Sequence, residues 1–293
     1  MGDTKRMINM TEGSPYKVLI AFAVPMILSN LLQQLYNVVD TLIVGRYLGT
    51  GALAAVGSVG SISAVLVQLA SGLAMGGSIV ISQYFGAERF KEIQEGSRTL
   101  TILSAGIGLL CMLFTLAFSV QILGWVQTPE EIFYDSAVYL NWYLIGTLPL
   151  FIYNAFQGIY VALGDSKTPL YFLMVSTILN MILDYMLIVI IPLGTAGAAI
   201  ATTLAQFVTM ILAFFHLPKL LRQLQSQEKP ALFKKEMFWR ILKFALPTAL
   251  QQSVVSVGSV IVQSVINGFG PAVIAGSAAA TKIVNIASSV SIN

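Results

Sequence analysis

Charge is scarce in this sequence. Only 10% of its 293 residues are Asp, Glu, Lys or Arg, where a soluble domain carries about 25%. So few charges do not cover the surface of a water-soluble protein of this length, and the excess apolar surface requires lipid. Histidine and cysteine occur once each. A single cysteine excludes an internal disulfide. Cys111 lies in an apolar run, where it reads as a small core residue. There is no glycine-rich phosphate loop, no cluster of metal-ligand residues and no Ser/His/Asp set, so an enzyme is not expected. No short apolar segment precedes a small-residue cleavage site, and the first helix is expected to act as its own insertion signal. The net charge of +3 is too mild to point to nucleic acid. Neither a nucleic-acid partner nor an organic cofactor is expected.

Apolar residues make up 56% of the chain. A bilayer core takes about 20 apolar residues of helix to cross. Eight such stretches occur, at roughly 17–45, 52–84, 97–123, 132–163, 169–191, 195–217, 240–267 and 271–293. The expected fold is therefore an all-α integral membrane protein, a multi-helix transporter bundle in contact with membrane lipid. Lys and Arg stay on the cytoplasmic side of a membrane. Of the 16 basic residues, 14 fall before the first span or in every second loop. They include Lys5, Arg6, Arg89, Lys91, Arg98, Lys167, Lys219, Arg222, Lys234 and Arg240. The alternate loops hold only Arg46, and Lys282 lies within the last stretch. A multi-pass protein of the plasma (inner) membrane with a cytoplasmic amino terminus follows.

The sequence also repeats. "FAVPMIL" in the first stretch matches "FALPTAL" in the seventh, placing Pro25 and Pro247 222 positions apart. "LGTGALAA" at 48–55 matches "FGPAVIAG" at 269–276. Residues 1–218 read as a six-helix bundle and 219–239 as a cytoplasmic amphipathic linker. Residues 240–293 read as the first two helices of a second, incomplete bundle. Parallel repeats place a substrate path between two halves. A complete second copy would bring the chain to roughly 440 residues, so a fragment without efflux of its own is expected.

Ionisable groups within the bilayer are costly, about 2.5–3.5 kcal/mol each on insertion scales, and mark function. Of the 13 acidic residues, only Asp40 and Asp184 fall well inside expected helices. Asn30, Gln33, Asn37 and Asp40 share one helix face, as do Ser176, Asn180 and Asp184, and Thr202, Gln206 and Thr209. Such stripes either glue helices together or line a common polar cavity. Three stripes in one half favour the cavity. At 1.5 Å per residue, Asp40, Asp184 and Thr202 each lie roughly 7–12 Å from the outer ends of their helices. An all-oxygen set at one level suits sodium. Two carboxyls in low dielectric also resist ionising together, which suits a proton. Pro25 lies about 22 Å below Asp40 and removes a helix hydrogen bond, making either a fixed kink or a hinge.

These residues resemble the multidrug and toxic compound extrusion family. The resemblance rests on "FAVPMILSNLLQQLYNVVDTLIVGRYLG", on "ALGDSKTP" at 162–169, on "ILNMILDYMLI" and on the repeat. It covers the whole chain. It implies twelve helices in two bundles and export of cationic or amphipathic drugs by alternating access, in exchange for Na+ or H+. Among bacterial members with an ion site in the first bundle, the functional aspartates fall on Asp40 and Asp184, the asparagine on Asn180 and the threonine on Thr202. Asn154 and Tyr139 fall near family cavity positions on the fourth stretch; with Gln33, Asn37, Ser176 and Gln206 of the polar stripes they make up the expected substrate cavity. The seventh stretch has Gln251, Gln252 and Gln263 where some relatives carry an acid, so no second-bundle ion site is expected.

Two other readings compete. A lipid-linked sugar flippase of the same superfamily needs a basic cavity, and the first six stretches place no Lys or Arg deep in the bilayer. An intramembrane aspartyl protease needs a Tyr-Asp pair facing Gly-x-Gly-Asp. Here Tyr134-Asp135 and "ALGD" lie at opposite membrane faces.

Overall fold

The computed structural model describes residues 15–224 and 230–292. Among them are ten α-helices and one π-helical turn, with no strand. In chain order the helices are α1 (Pro15–Tyr47), α2 (Gly49–Gly86), α3 (Phe90–Ala117), α4 (Ser119–Trp125) and α5 (Glu130–Ile145). Then come α6 (Thr147–Ala162), α7 (Lys167–Asp184), α8 (Thr195–Gln223), α9 (Lys235–Asn267) and α10 (Pro271–Ile292), with the π-helical turn Tyr185–Ile190 following α7. Helices prevail because a lipid-embedded segment must satisfy its backbone groups internally. Six of them are long and apolar enough to cross a membrane, or seven when α5 and α6 count as one bent span.

Two expected spans differ in detail. The stretch 132–163 is broken at Gly146, where α5 and α6 meet at a bend of 46°. The stretch 97–123 is interrupted at Phe118 and continues as the short α4. The eighth stretch falls on α10, a helix over Pro271–Ile292. The linker also differs. Helix α8 runs through Pro218 to Gln223 and α9 begins at Lys235, so the connection is shorter than 219–239. Residues 225–229 of that linker, the Lys282 side chain, and Lys5 and Arg6 lie outside the described residues.

Apolar side chains pack into two large clusters. One gathers at the end of the bundle that carries the basic loops, with Tyr84, Ile93, Tyr160, Leu220, Met237 and Ile241. The other lies toward the opposite end, with Val44, Leu123, Val126, Tyr139, Tyr143 and Ile188. Large apolar residues such as Leu42, Leu110, Phe114, Ile178 and Phe215 stay exposed, as a lipid-facing surface requires.

Helix α9 lies antiparallel along α2 over their full length. The closest approach is midway, where Gly72 and Gly76 face Ala249 and Ala245. A Cβ on Gly76 would stand 2.2 Å from Ala245 Cα, and one on Gly72 2.4 Å from Ala249 Cα. Only glycine admits this spacing, and small residues are what allow membrane helices to close on one another. Helix α10 packs on α2 and α1.

Candidate functional site

Three helices converge on a polar site in the half of the bundle away from the basic loops. Asp40 comes from α1, seven residues before the helix ends. Asn180 and Asp184 sit one turn apart on α7, and Asp184 is its last residue before the π-helical turn. Thr202 comes from the second turn of α8. All four are buried, and Asp184 is fully enclosed at 0% exposure. They belong together in space as the polar stripes indicate.

The contacts are specific. The carboxyls of Asp40 and Asp184 lie within hydrogen-bonding reach of one another. With its amide assigned so that both ends find partners, Asn180 bridges two elements: its nitrogen donates to Asp184 Oδ2 at 2.8 Å, and its oxygen accepts from the Thr202 N–H at 3.2 Å. Asp184 Oδ1 has no hydrogen-bond partner among the described residues. Two carboxyls in contact cannot both carry a full charge in a low-dielectric site unless a proton or cation lies between them. The protein's own atoms therefore leave a place for one positive charge. The site holds two acids, and no group of three or more His, Cys, Asp or Glu side chains stands ready for a metal among the described residues. Two carboxyls with neutral oxygens suit a hard monovalent cation or a proton better than a transition metal.

Tyrosines ring this centre. The Tyr36 hydroxyl and Thr202 Oγ1 are 3.2 Å apart. Tyr139 lies within electrostatic range of both aspartates and of Tyr36. The rings of Tyr139 and Tyr143 stack at 6.3 Å, and the Tyr143 hydroxyl lies against Ser63 and Gln206. Gln206 is one helical turn from Thr202, so the polar surface continues from the carboxyls toward the basic end. The absence of a side chain at Gly146 makes room for it, because a Cβ there would stand 2.5 Å from Gln206 Oε1.

Tyr36, Tyr143 and Ser63 are absent from the stripes singled out in the sequence. Tyr36 carries a readable signal, lying three residues after Gln33 and four before Asp40 on the same face. Tyr143 carries a weaker one, one turn after Tyr139. Nothing in the sequence points to Ser63.

The remaining cavity residues are more dispersed. Ser176 donates to the Ala205 carbonyl at 3.3 Å. Asn154 donates to the Leu150 carbonyl at 2.8 Å and accepts from Ser71 of α2 at 3.2 Å, about 12 Å beyond Gly146 at the helical rise. Asn37 is half-buried and Gln33 exposed. Pro25 is buried within an unbroken α1, and its carbonyl accepts from Ser29 Oγ at 2.9 Å.

A protein-family model described as MatE matches residues 25–186, more than half of the chain. The chain belongs to the MatE family. The match spans Pro25, Asp40, Asn180 and Asp184 and stops before Thr202. Among curated MatE relatives, the probable multidrug resistance protein YpnP of Bacillus subtilis is 31% identical over 95% of this chain and 62% of its own length. The probable multidrug resistance protein YoeA of the same organism is 31% identical over 89% and 58%. The chain spans about three-fifths of the length of these relatives. A solved structure described as the outward-facing conformation of a multidrug resistance MATE family transporter superposes with a TM-score of 0.74. It is 26% identical, over 84% of this chain and 55% of that one.

Proposed function

We propose that the protein exports cationic or amphipathic small molecules across the plasma membrane in exchange for Na+ or H+, by alternating access. The observation that carries this reading is the contact between the buried carboxyls of Asp40 and Asp184. The names of YpnP and YoeA as probable multidrug resistance proteins support the substrate class. The basic loops give the orientation, with that end and the amino terminus in the cytoplasm.

In this cycle, Asp40 and Asp184 attract the cationic substrate while they carry net negative charge. A Na+ or H+ entering from outside binds between them, with Asn180 and Thr202 as neutral oxygen ligands for the metal ion. Binding removes the charge that holds the substrate, and the α1 face carrying Gln33, Asn37 and Asp40 rearranges. Pro25 is the hinge, because α1 lacks a backbone donor there. The substrate leaves outward and the ion is released inward. Passage of one charge through the whole field contributes about 2.3 kcal/mol per 100 mV.

The test is efflux of a fluorescent cation from vesicles containing the full-length protein, with sodium and pH gradients imposed separately. Asp40→Asn and Asp184→Asn are each expected to abolish ion-driven efflux with expression intact. Efflux at the parental rate from the double variant would sink the proposal.

A further inference from the structure

A small cavity at the basic end, where α9 begins beside α2 and α3, gathers charges of both signs. Its walls carry Arg89, Lys234 and Arg240 with Glu92 and Glu236, around Tyr84, and it encloses about 250 Å³. Sites for drug-sized molecules run from about 300 to 1,000 Å³. A small polar group fits here and a whole drug does not.

Most of these charges are matched within the chain. Arg89 donates to Glu92 on the first turn of α3. Lys234 Nζ stands 3.3 Å from Glu95 Oε2. One charge of each sign is left over. Arg240 Nη1 donates to the Tyr84 hydroxyl at 2.6 Å and Nη2 to Gln83 Oε1 at 3.3 Å, and both acceptors are neutral. No carboxylate among the described residues lies within ion-pair distance of Arg240. A guanidinium carries five N–H donors, so three remain. The Arg240 guanidinium lies 4.7 Å from the centre of the Tyr84 ring and that of Arg89 5.3 Å from the same ring. The two cations therefore stand within about 10 Å of one another, one screening length in salt. Their combined field favours an anion beside Tyr84. Glu236, one turn before Arg240 and exposed, has no ion pair among the described residues. It favours a cation.

The cavity also lies at the depth of lipid headgroups. Trp239, next to Arg240, is 58% exposed, and Phe233 is 48% exposed. Exposed aromatic residues at the end of a span mark the membrane–water interface. Basic pockets between spans on the cytoplasmic side suit phospholipid headgroups.

We propose that this cavity binds the headgroup of phosphatidylethanolamine from the cytoplasmic leaflet, with the phosphodiester on Arg240 and Arg89 and the ammonium on Glu236. A zwitterion answers both leftover charges at once. Its primary ammonium donates three hydrogen bonds, as a lysine ammonium does. Phosphatidylglycerol answers Arg240 but leaves Glu236 without a cation. Phosphatidylcholine has both charges but no N–H donor for the carboxylate. The site goes beyond the exporter reading and does not depend on it.

The test is binding without transport. The full-length protein is delipidated in detergent and titrated with phosphatidylethanolamine, phosphatidylglycerol or phosphatidylcholine of identical acyl chains. Bound lipid is counted by native mass spectrometry. Phosphatidylethanolamine is expected to bind about tenfold more tightly than the other two, the size of one charged hydrogen bond. Arg240→Gln is expected to weaken phosphatidylethanolamine and phosphatidylglycerol alike, again about tenfold. Glu236→Gln is the sharper variant, because an exposed residue without an ion pair is replaced with little risk to folding. It is expected to bring phosphatidylethanolamine down to the level of phosphatidylglycerol, with phosphatidylglycerol unchanged or tighter. Equal binding of the three lipids overturns the proposal, as does a phosphatidylethanolamine preference that survives Glu236→Gln or an affinity untouched by Arg240→Gln. Glycerophosphoethanolamine, the same headgroup without acyl chains, separates a lipid from a soluble phosphoester. It is expected to displace the lipid only in about hundredfold excess or more, since chain burial contributes to binding. Displacement at equal concentration overturns the lipid assignment. Lost efflux with lipid preference intact counts against the exporter reading alone.

Discussion

Glu95 and Asp184 are both buried acids, and the protein treats them in opposite ways. Glu95, 3% exposed on α3, faces the Lys234 ammonium at 3.3 Å and accepts from the Ala231 N–H at 3.4 Å. Its charge is balanced by the chain itself. Asp184, fully enclosed on α7, has a neutral amide and a second carboxyl as its neighbours. Its charge is left to be balanced from outside. A buried acid with its own cation serves the fold; in the proposed cycle, a buried acid set against another acid serves a mobile charge. The difference follows from the cost of an uncompensated ion in low dielectric.

Substitutions at the two acids can break this contrast. The largest effect is expected at the carboxyl pair. Asp184→Asn should reduce ion-driven efflux to the level of empty vesicles while leaving the thermal midpoint in detergent unchanged or higher, because it removes a like-charge contact. A large fall in midpoint with efflux preserved would reverse the assignment.

Glu95→Gln should show the opposite pattern. Stability falls by about 1–2 kcal/mol, since one charged hydrogen-bond set is lost beside a half-exposed lysine. The ion dependence of efflux is retained. Thermal unfolding and the sodium or pH titration of efflux measure the two quantities separately.

Salt gives a smaller effect. Raising ionic strength to about 1 M shortens screening to about 3 Å, so the parent should lose less than about 1 kcal/mol of stability. The Glu95→Gln variant should show less of that loss. An identical salt response in both would mean that the Glu95–Lys234 pair contributes nothing measurable.

The smallest effects are expected at the neutral ligands. Tyr36→Phe deletes the 3.2 Å contact with Thr202 and should shift half-maximal ion concentration by the equivalent of about 0.5–1.5 kcal/mol. Asn180→Ala and Thr202→Ala should weaken ion-driven efflux without abolishing it, because water can replace one neutral ligand of a cation.

Much of the site was legible before the structure. Asp40, Asn180, Asp184 and Thr202 stood out because acids and amides are rare in apolar helices and repeat there with helical spacing. Tyr36 and Tyr143 escaped because tyrosine is common on buried apolar faces, and its hydroxyl becomes informative only when a partner is known. Asn154 shared the chemistry of the site residues but pairs with Ser71, a contact that depends on how α6 lies against α2.

The sequence by itself determined the helical membrane-spanning class, the position of most spans, the end at which basic residues gather and the residues of each polar stripe. All of these depend on one helix at a time, because lipid forces each segment to satisfy its own backbone. The tertiary structure alone decided where helices break and which faces meet. The bend at Gly146 and the π-helical turn after Asp184 are seen only in the structure, and the pairing of Tyr84 with Arg240 joins residues 156 apart in the chain. No periodicity within one helix specifies its partner, so the meeting of two carboxyls from α1 and α7 is a property of the packed bundle.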